Sequence, residues 1–238
     1  MDKSRISAAF VFGLLFCVGL ALLGLTLSNG LIKMKSLERT VTVKGLSERE
    51  VPADLAIFPV KFIEASNDLN ELVANLQQKS EQVVKFLIER GFKPEEITRS
   101  APAITDKQAQ AFGGNPGGFR YSGSSIISVY TKDIERVRET QQALGELGQL
   151  GIAITGDDYQ AKTSFIFTGL NDLKPEMIEE ATRNAREVGE RFAQDSKSRL
   201  GKIKTASQGQ FSINDRDANT PHIKKVRVVS TVTYYLSD

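Results

Sequence analysis

From Ile6 to Ile32 the chain carries no charged residue, and that stretch constrains the fate of the whole polypeptide. As a helix rising about 1.5 Å per residue it spans roughly 40 Å, enough to cross a hydrocarbon core of about 30 Å with some tilt. Ala8, Leu14, Leu20, Leu27 and Ile32 mark out the expected membrane anchor. The competing reading is a cleaved signal peptide, whose apolar region usually runs about 7–15 residues to a small-x-small site. Here Thr26-Leu27-Ser28 offers only a poor site. A lipoprotein fits less well, because Leu14-Leu15-Phe16 precedes Cys17 where a small residue is expected. Lys3 and Arg5 on one side face Lys33, Lys35 and Arg39 on the other, so the positive-inside count does not choose an orientation. A short basic tail before a long apolar run has the form of a signal anchor that exports the C-terminal part of its chain. A single-pass membrane protein with its soluble part exported is expected on that form.

Apart from that segment the chain is nearly neutral. Removing the first 32 residues takes away Lys3, Arg5 and Asp2 and leaves 29 basic groups against 28 acidic. This gives no electrostatic footprint for nucleic acid. Cys17 is the only cysteine and lies in the apolar segment, which excludes an intramolecular disulfide, a Cys-rich zinc site and a cysteine nucleophile in the soluble part.

After residues 1–38 (tail, anchor and linker) the periodicity changes. Arg39 to Gly45 alternates Val41 and Val43 with Thr40, Thr42 and Lys44, as a half-buried strand does. Leu55 to Ile63 is more continuously apolar and suits a strand covered on both faces, but Pro59 cannot donate to a ladder and so requires an edge position or a bulge. Asp68-Leu-Asn-Glu71 has capping-box form, opening a helix with Leu69, Leu72, Val73, Leu76, Val83, Val84 and Leu87 on one face. Ile97–Asp106 and Tyr121–Thr131 read as strands. Asp133 can cap a shorter helix over about 133–148, with Ile134, Val137, Leu144 and Leu147 turned inward.

The second half has the same order: a strand over Tyr159–Thr168, a helix from about Leu173 to Leu200, then strands over Lys202–Ile213 and His222–Leu236. Met177, Ala181, Ala185, Val188, Phe192 and Leu200 carry the apolar stripe. The expected domain, 39–238, thus holds two β-α-β-β units, about 54–131 and 159–236, joined by the helix near 133–148. Hairpin-linked strands separated by helices argue for an α+β fold with mainly antiparallel sheets and long helices packed on them.

Few motifs carry chemistry. Ala111–Phe119 is glycine-rich but lies between two expected hairpin strands, so it lacks the helix N-terminus that a phosphate cradle needs. It is read as a flexible tip, with Phe112, Gly113, Gly114, Gly117, Gly118 and Phe119 the candidate interaction loop. Asp215-x-Asp217-x-Asn219 has the spacing of a calcium loop, yet Thr220 stands where the tight-turn glycine belongs and Val226 where the bidentate glutamate belongs. The pairs Asp157-Asp158 and Glu179-Glu180 read as a polar loop and the wet face of the long helix. His222 is the only histidine, which leaves no multi-histidine ligand set. No Ser-x-x-Lys and no Gly-x-Ser-x-Gly occurs. No catalytic residue, metal ligand or cofactor is assigned, and an enzyme is not expected.

Val41-Thr-Val-Lys-Gly45, with Val51-Pro-Ala-Asp54-Leu-Ala56 after it, resembles the opening of the SIMPL-domain family, which has Val-x-Gly-x-Gly and then Pro-Asp-x-Ala. Ser47 replaces the second glycine, and Ala53 separates Pro52 from Asp54. Ala181-x-x-x-Ala185-x-x-x-Gly189, leading to Leu200-Gly201-Lys-Ile203, is similar to the family's second long helix and the entry to its next strand. The resemblance covers about residues 39–236 and implies an exported or envelope-anchored α+β protein, periplasmic where the cell has a periplasm, often linked to oxidative-stress defence. It carries over no site.

The leading expectation is a non-enzymatic envelope protein acting through contacts with other envelope proteins or with copies of itself, at exposed edges such as Thr40–Gly45 or Val226–Leu236. The alternative is a small-molecule-binding module with a cleft between the two halves, lined by aromatics such as Phe165, Phe167, Tyr234 and Tyr235. A carboxylate-dependent hydrolase is the third class.

Overall fold

The computed structural model describes residues 3–36, 39–109, 118–155 and 161–237, with the side chains of 3–12 and 32–36 outside the description. Helix α1 (Lys3–Ser36) contains the stretch Gly13–Leu31, long and apolar enough to cross a membrane and unburied along its length. Leu14, Leu20 and Leu27 are exposed on it. In water this would leave a large apolar surface wet, so α1 is a membrane anchor or a signal sequence.

The remainder is α+β. Strands β1 (Thr40–Pro52) and β2 (Leu55–Ser66) lead to α2 (Leu69–Glu89), then to β3 (Ile97–Arg99), β4 (Ala103–Asp106) and β5 (Tyr121–Thr131). Short helices α3 (Ile134–Ala143) and α4 (Gly145–Gln149) precede β6 (Ala153–Ile154) and β7 (Ser164–Ile166). Helix α5 (Leu170–Asp195) leads into β8 (Arg199–Gln208), β9 (Ser212–Asp215) and β10 (Ile223–Ser237). The chain forms two compact units, one of residues 1–48, 174–211 and 227–238, the other of 49–173 and 212–226.

The second unit is built on an antiparallel sheet in the order β3-β5-β2-β6, with β4 also on β5 and β7 also on β2. β2 and β5 pair from Ala56↔Thr131 to Ser66↔Tyr121 without a register shift. Period-two alternation sends Phe58, Val60 and Phe62 into a core with Leu72, Leu87 and Ile127, beneath α2. The opposite face is only partly covered, Ile63 being 50% exposed, so β2 is not enclosed on both sides as its apolar run suggested.

Pro59 shows why a proline is tolerated in this central strand. Thr155 N–H donates to the Lys61 carbonyl at 3.0 Å, so odd-numbered residues of β2 turn their backbone groups toward the β6/β7 edge. That edge is paired by β7 at residues 55–57 and by β6 at 62–63. Pro59 stands in the gap between them, where no ladder among the described residues asks for its missing N–H.

Several boundaries differ from the sequence reading. Ile97–Asp106 is two strands broken around Pro102, and Lys202–Ile213 is likewise two. The described part of the expected strand Tyr159–Thr168 is β7 alone. The cap of α2 is only half a capping box: Asp68 accepts from Asn70 and Glu71 N–H, but the Asp68 N–H donates to Ser66 Oγ, whose hydroxyl donates to Glu71. On that helix Leu69 and Val73 are exposed and Phe86 is buried instead.

In the first unit β10 lies between β1 and β8. Val43, Ala185, Val232 and Tyr234 form the core, with Val41 and Leu200 packed against it. The buried stripe of α5 is Met177, Ala181, Ala185, Gly189 and Ala193. Val188 and Phe192, expected inside, are exposed. Close approach of helix to sheet selects small residues for the inward face and leaves the bulky ones outside.

Candidate functional site

Of the glycine-rich loop, Phe112, Gly113, Gly114 and Gly117 lie outside the described residues, as do Asp157 and Asp158. Gly118 and Phe119 are exposed, Phe119 beside Lys107 and Gly123 on the outer face of the sheet.

The Asp215–Asn219 spacing serves a turn. Asp217 Oδ1 accepts from the Asn219 and Thr220 N–H groups at 2.8 Å each, and Arg216 Nε donates to its other oxygen at 3.1 Å. The Thr220 hydroxyl and these donors hold the Asp217 carboxyl down to about 2. Asp215 is ion-paired with Lys224. Both carboxylates are thus turned to protein donors, and no group of three or more His, Cys, Asp or Glu side chains among the described residues is placed to hold a metal ion.

His222 is half-buried just before β10; its carbonyl accepts from Ala53 N–H at 2.8 Å and its ring meets the Phe165 ring edge-on at 6.1 Å between centroids. Burial pushes its imidazole below the ordinary 6.5, the nearby Arg138 adding to the shift and Glu135 opposing it. A depressed folded value means that the unfolded chain binds the proton more readily. Stability present above the unfolded value is therefore lost as pH falls through the folded one. Urea midpoints are expected to decline as pH drops below 6.5, and His222→Gln to flatten that part of the curve. An unchanged slope in the variant would assign the effect elsewhere. Asp217 contributes separately, in the window between 3.8 and about 2.

Two surfaces stand out. The first is β8. It pairs with β10 along one side, from Ser230↔Gln208 to Ser237↔Arg199, and among the described residues no strand lies on the other. Nine of its ten residues are exposed, Ile203 to 50%, while Leu200 at its start packs on the core beside Gly189 of α5. The strand expected at this edge, Val226–Leu236, is instead central, whereas β1, which contains Thr40–Gly45, is the opposite edge of the same sheet.

The second is a cleft of about 610 Å³ within the second unit, at the gap in the β2 edge. Phe58, Pro59, Leu144, Ile154 and Phe165 give it an apolar floor. Lys61, Arg138 and Lys162 stand around it with Thr155 and His222, and no Asp or Glu is among the described residues that line it. Of the aromatics expected along a cleft, Phe165 is here, Tyr234 is core in the first unit, and Phe167 and Tyr235 are not among the lining residues. Sequence reading missed the basic residues because they come from three separate segments. Pro59, out of place in an apolar strand, was the one local signal.

The residues that carry the family resemblance hold packing positions. A Cβ added at Gly45 would overlap the Ala181 carbonyl oxygen and the Ala185 amide nitrogen, so β1 lies directly on the small-residue stripe of α5. Asp54 accepts from Thr168 N–H at 2.9 Å, from the Thr168 hydroxyl at 2.9 Å and from Gly169 N–H at 3.2 Å, fixing the entry to α5. Ser47, in place of a second glycine, is buried and donates to Glu180 at 2.8 Å, so Glu180 is not simply part of a wet face. No curated protein matches the chain. The family model for SIMPL, described as a protein of unknown function (DUF541), matches residues 41–234. Spanning the strands, the helices and the glycine and aspartate that lock them, that match makes the chain a member of the SIMPL family.

Proposed function

We propose that this is an envelope protein in which α1 holds the SIMPL domain at the inner membrane, outside the cytoplasm, and that it works by protein contact and not by catalysis. Its partner is a second copy of the same chain, joined edge to edge; the family resemblance adds a place in stress defence. The observation that carries the reading is β8, a ten-residue edge strand with nine of its residues exposed. Such an edge presents a row of backbone donors and acceptors ready to extend a sheet.

The geometry favours joining β8 of one copy to β1 of the next. Lys202 and Lys204 oppose close pairing of two β8 strands, since like charges facing across a ladder are destabilising. A β8-to-β1 join is head-to-tail and continues from copy to copy, closing into a ring if the rotation allows. Tethering adds to this by raising the effective concentration of the edges.

The test uses the full chain with Cys17→Ser, one population carrying Ile203→Cys and another Lys44→Cys. Oxidation in mixed membranes is expected to give a disulfide-linked dimer, and light scattering of the unmodified chain in detergent a mass of several copies. A strictly monomeric mass without the crosslink would overturn the proposal.

A further inference from the structure

We propose that the corner where α5 turns into β8 rests on the phospholipid head groups beside the exit of α1, with Lys197 and Arg199 on lipid phosphates and Phe192 seated among the head groups. This rests on the reading of α1 as an anchor and deepens it by naming the surface turned to the membrane.

Three elements meet at this corner. Helix α5 stops at Asp195 and β8 starts at Arg199, which pairs with Ser237 at the end of β10. Arg39, just before β1, is tied to both neighbours: its carbonyl accepts from Leu236 N–H at 2.8 Å, and its Nη2 donates to Ser198 Oγ at 3.1 Å. From Ser36, the last residue of α1, to Thr40 there are four residue steps, at most about 14 Å when fully extended. The five residues of α1 beyond Leu31 add about 8 Å. Together they hold the corner within roughly 20 Å of the hydrocarbon. Gln208, at the other end of β8, lies nine residues further on, or about 30 Å along the strand.

The side chains at the corner suit a lipid surface. Arg191, Lys197, Arg199 and Lys202 are exposed, and none is ion-paired among the described residues. Asp195 is exposed at the end of α5, Glu38 and Asp238 adjoin the corner in sequence, and Glu190 is held by Arg186 at 3.1 Å. With Arg39 included, the bases lead Asp195, Glu38 and Asp238 by five to three, and Lys33 and Lys35 in the link raise the lead to seven to three. Such an excess draws a protein to anionic head groups, over a reach of about 8–10 Å in ordinary salt. Phe192, in the last turn of α5, is 55% exposed, and phenylalanine is among the residues that seat at the head-group boundary.

Lys197 supplies an independent observation. Its φ is 54°, the one positive φ outside glycine among the described residues. It stands just past the helix end, where glycine is favoured: its N–H donates to the Gln194 carbonyl at 2.9 Å and Ser198 N–H to the Ala193 carbonyl at 2.8 Å. A lysine held in that conformation gives up stability. Its ammonium has no hydrogen-bond or ion-pair partner among the described residues to offset the loss. A lipid phosphate is such a partner.

The test uses the full chain with Cys17→Ser in nanodiscs that contain head-group spin-labelled lipid, made with and without anionic lipid. A fluorophore is attached through Gln194→Cys in one sample and through Gln208→Cys in another. Quenching is expected to be several-fold stronger at position 194 and to rise there with anionic lipid. Lys197→Glu with Arg199→Glu should remove that rise, and Phe192→Ser should lower quenching in both kinds of disc. Lys197→Gly should lower quenching at 194 while raising the urea midpoint, a combination that a merely structural lysine would not give. Equal quenching at the two positions, or quenching at 194 indifferent to anionic lipid and to the charge reversal, would overturn this proposal and leave the anchor standing. A chain that does not co-elute with the discs would overturn the anchor, and this proposal with it.

Discussion

Gly45→Val is expected to unfold the first unit. The side chain would be driven into the backbone of α5 at Ala181 and Ala185, and even Gly45→Ala places a methyl group on a carbonyl oxygen. Backbone cannot rotate aside as a side chain tip does, so relief requires α5 to lift from β1. That movement would open the small core of Val43, Ala185, Val232 and Tyr234. Overpacking typically costs about 1–3 kcal/mol and occasionally more, and an overlap with backbone belongs at the upper end of that range. Limited proteolysis of the full chain should show new cleavage in α5 and β8 for the valine variant, and a urea midpoint well below that of the parent. Retention of the parent midpoint would mean that the helix does not sit where described.

Asp54→Ala is the second large effect, and it acts on the other unit. One carboxylate there serves two backbone N–H groups and one hydroxyl at the start of α5. The alanine variant leaves those donors without their acceptor at a helix entry, where no preceding turn can replace it. Bonds to a charged acceptor are worth about 1.5–3 kcal/mol, and a loss in that range is expected in chemical denaturation. Asp54→Asn keeps an acceptor oxygen and should lose less. Faster amide exchange confined to Thr168 and Gly169 would localise the defect, whereas equal stability of the alanine variant would refute the assignment.

Legibility in the sequence tracked the range of each interaction. The Asp68 cap of α2 was readable because donor and acceptor lie within four residues, although the return bond ran through Ser66 and not as the motif implied. The Asp54 contact was not, since its partners lie 114 and 115 positions away. On α5, side-chain size misled: the stripe that packs is Ala181, Ala185, Gly189 and Ala193, and an apolar pattern ranks Val188 and Phe192 above two of those. The bareness of β8 was invisible for a different reason. Its apolar and polar residues do not say where a helix on the same sheet stops. Of the cleft, Pro59 alone was audible, as a residue demanding an unpaired edge.

That proline has a further effect on what can enter the gap beside β2. A peptide trying to knit itself in between β6 and β7 would meet an acceptor at this residue but no hydrogen to accept, and so could not complete a stitch. The opening resists being zipped shut by another backbone, which reserves it for guests that bring no ladder of their own.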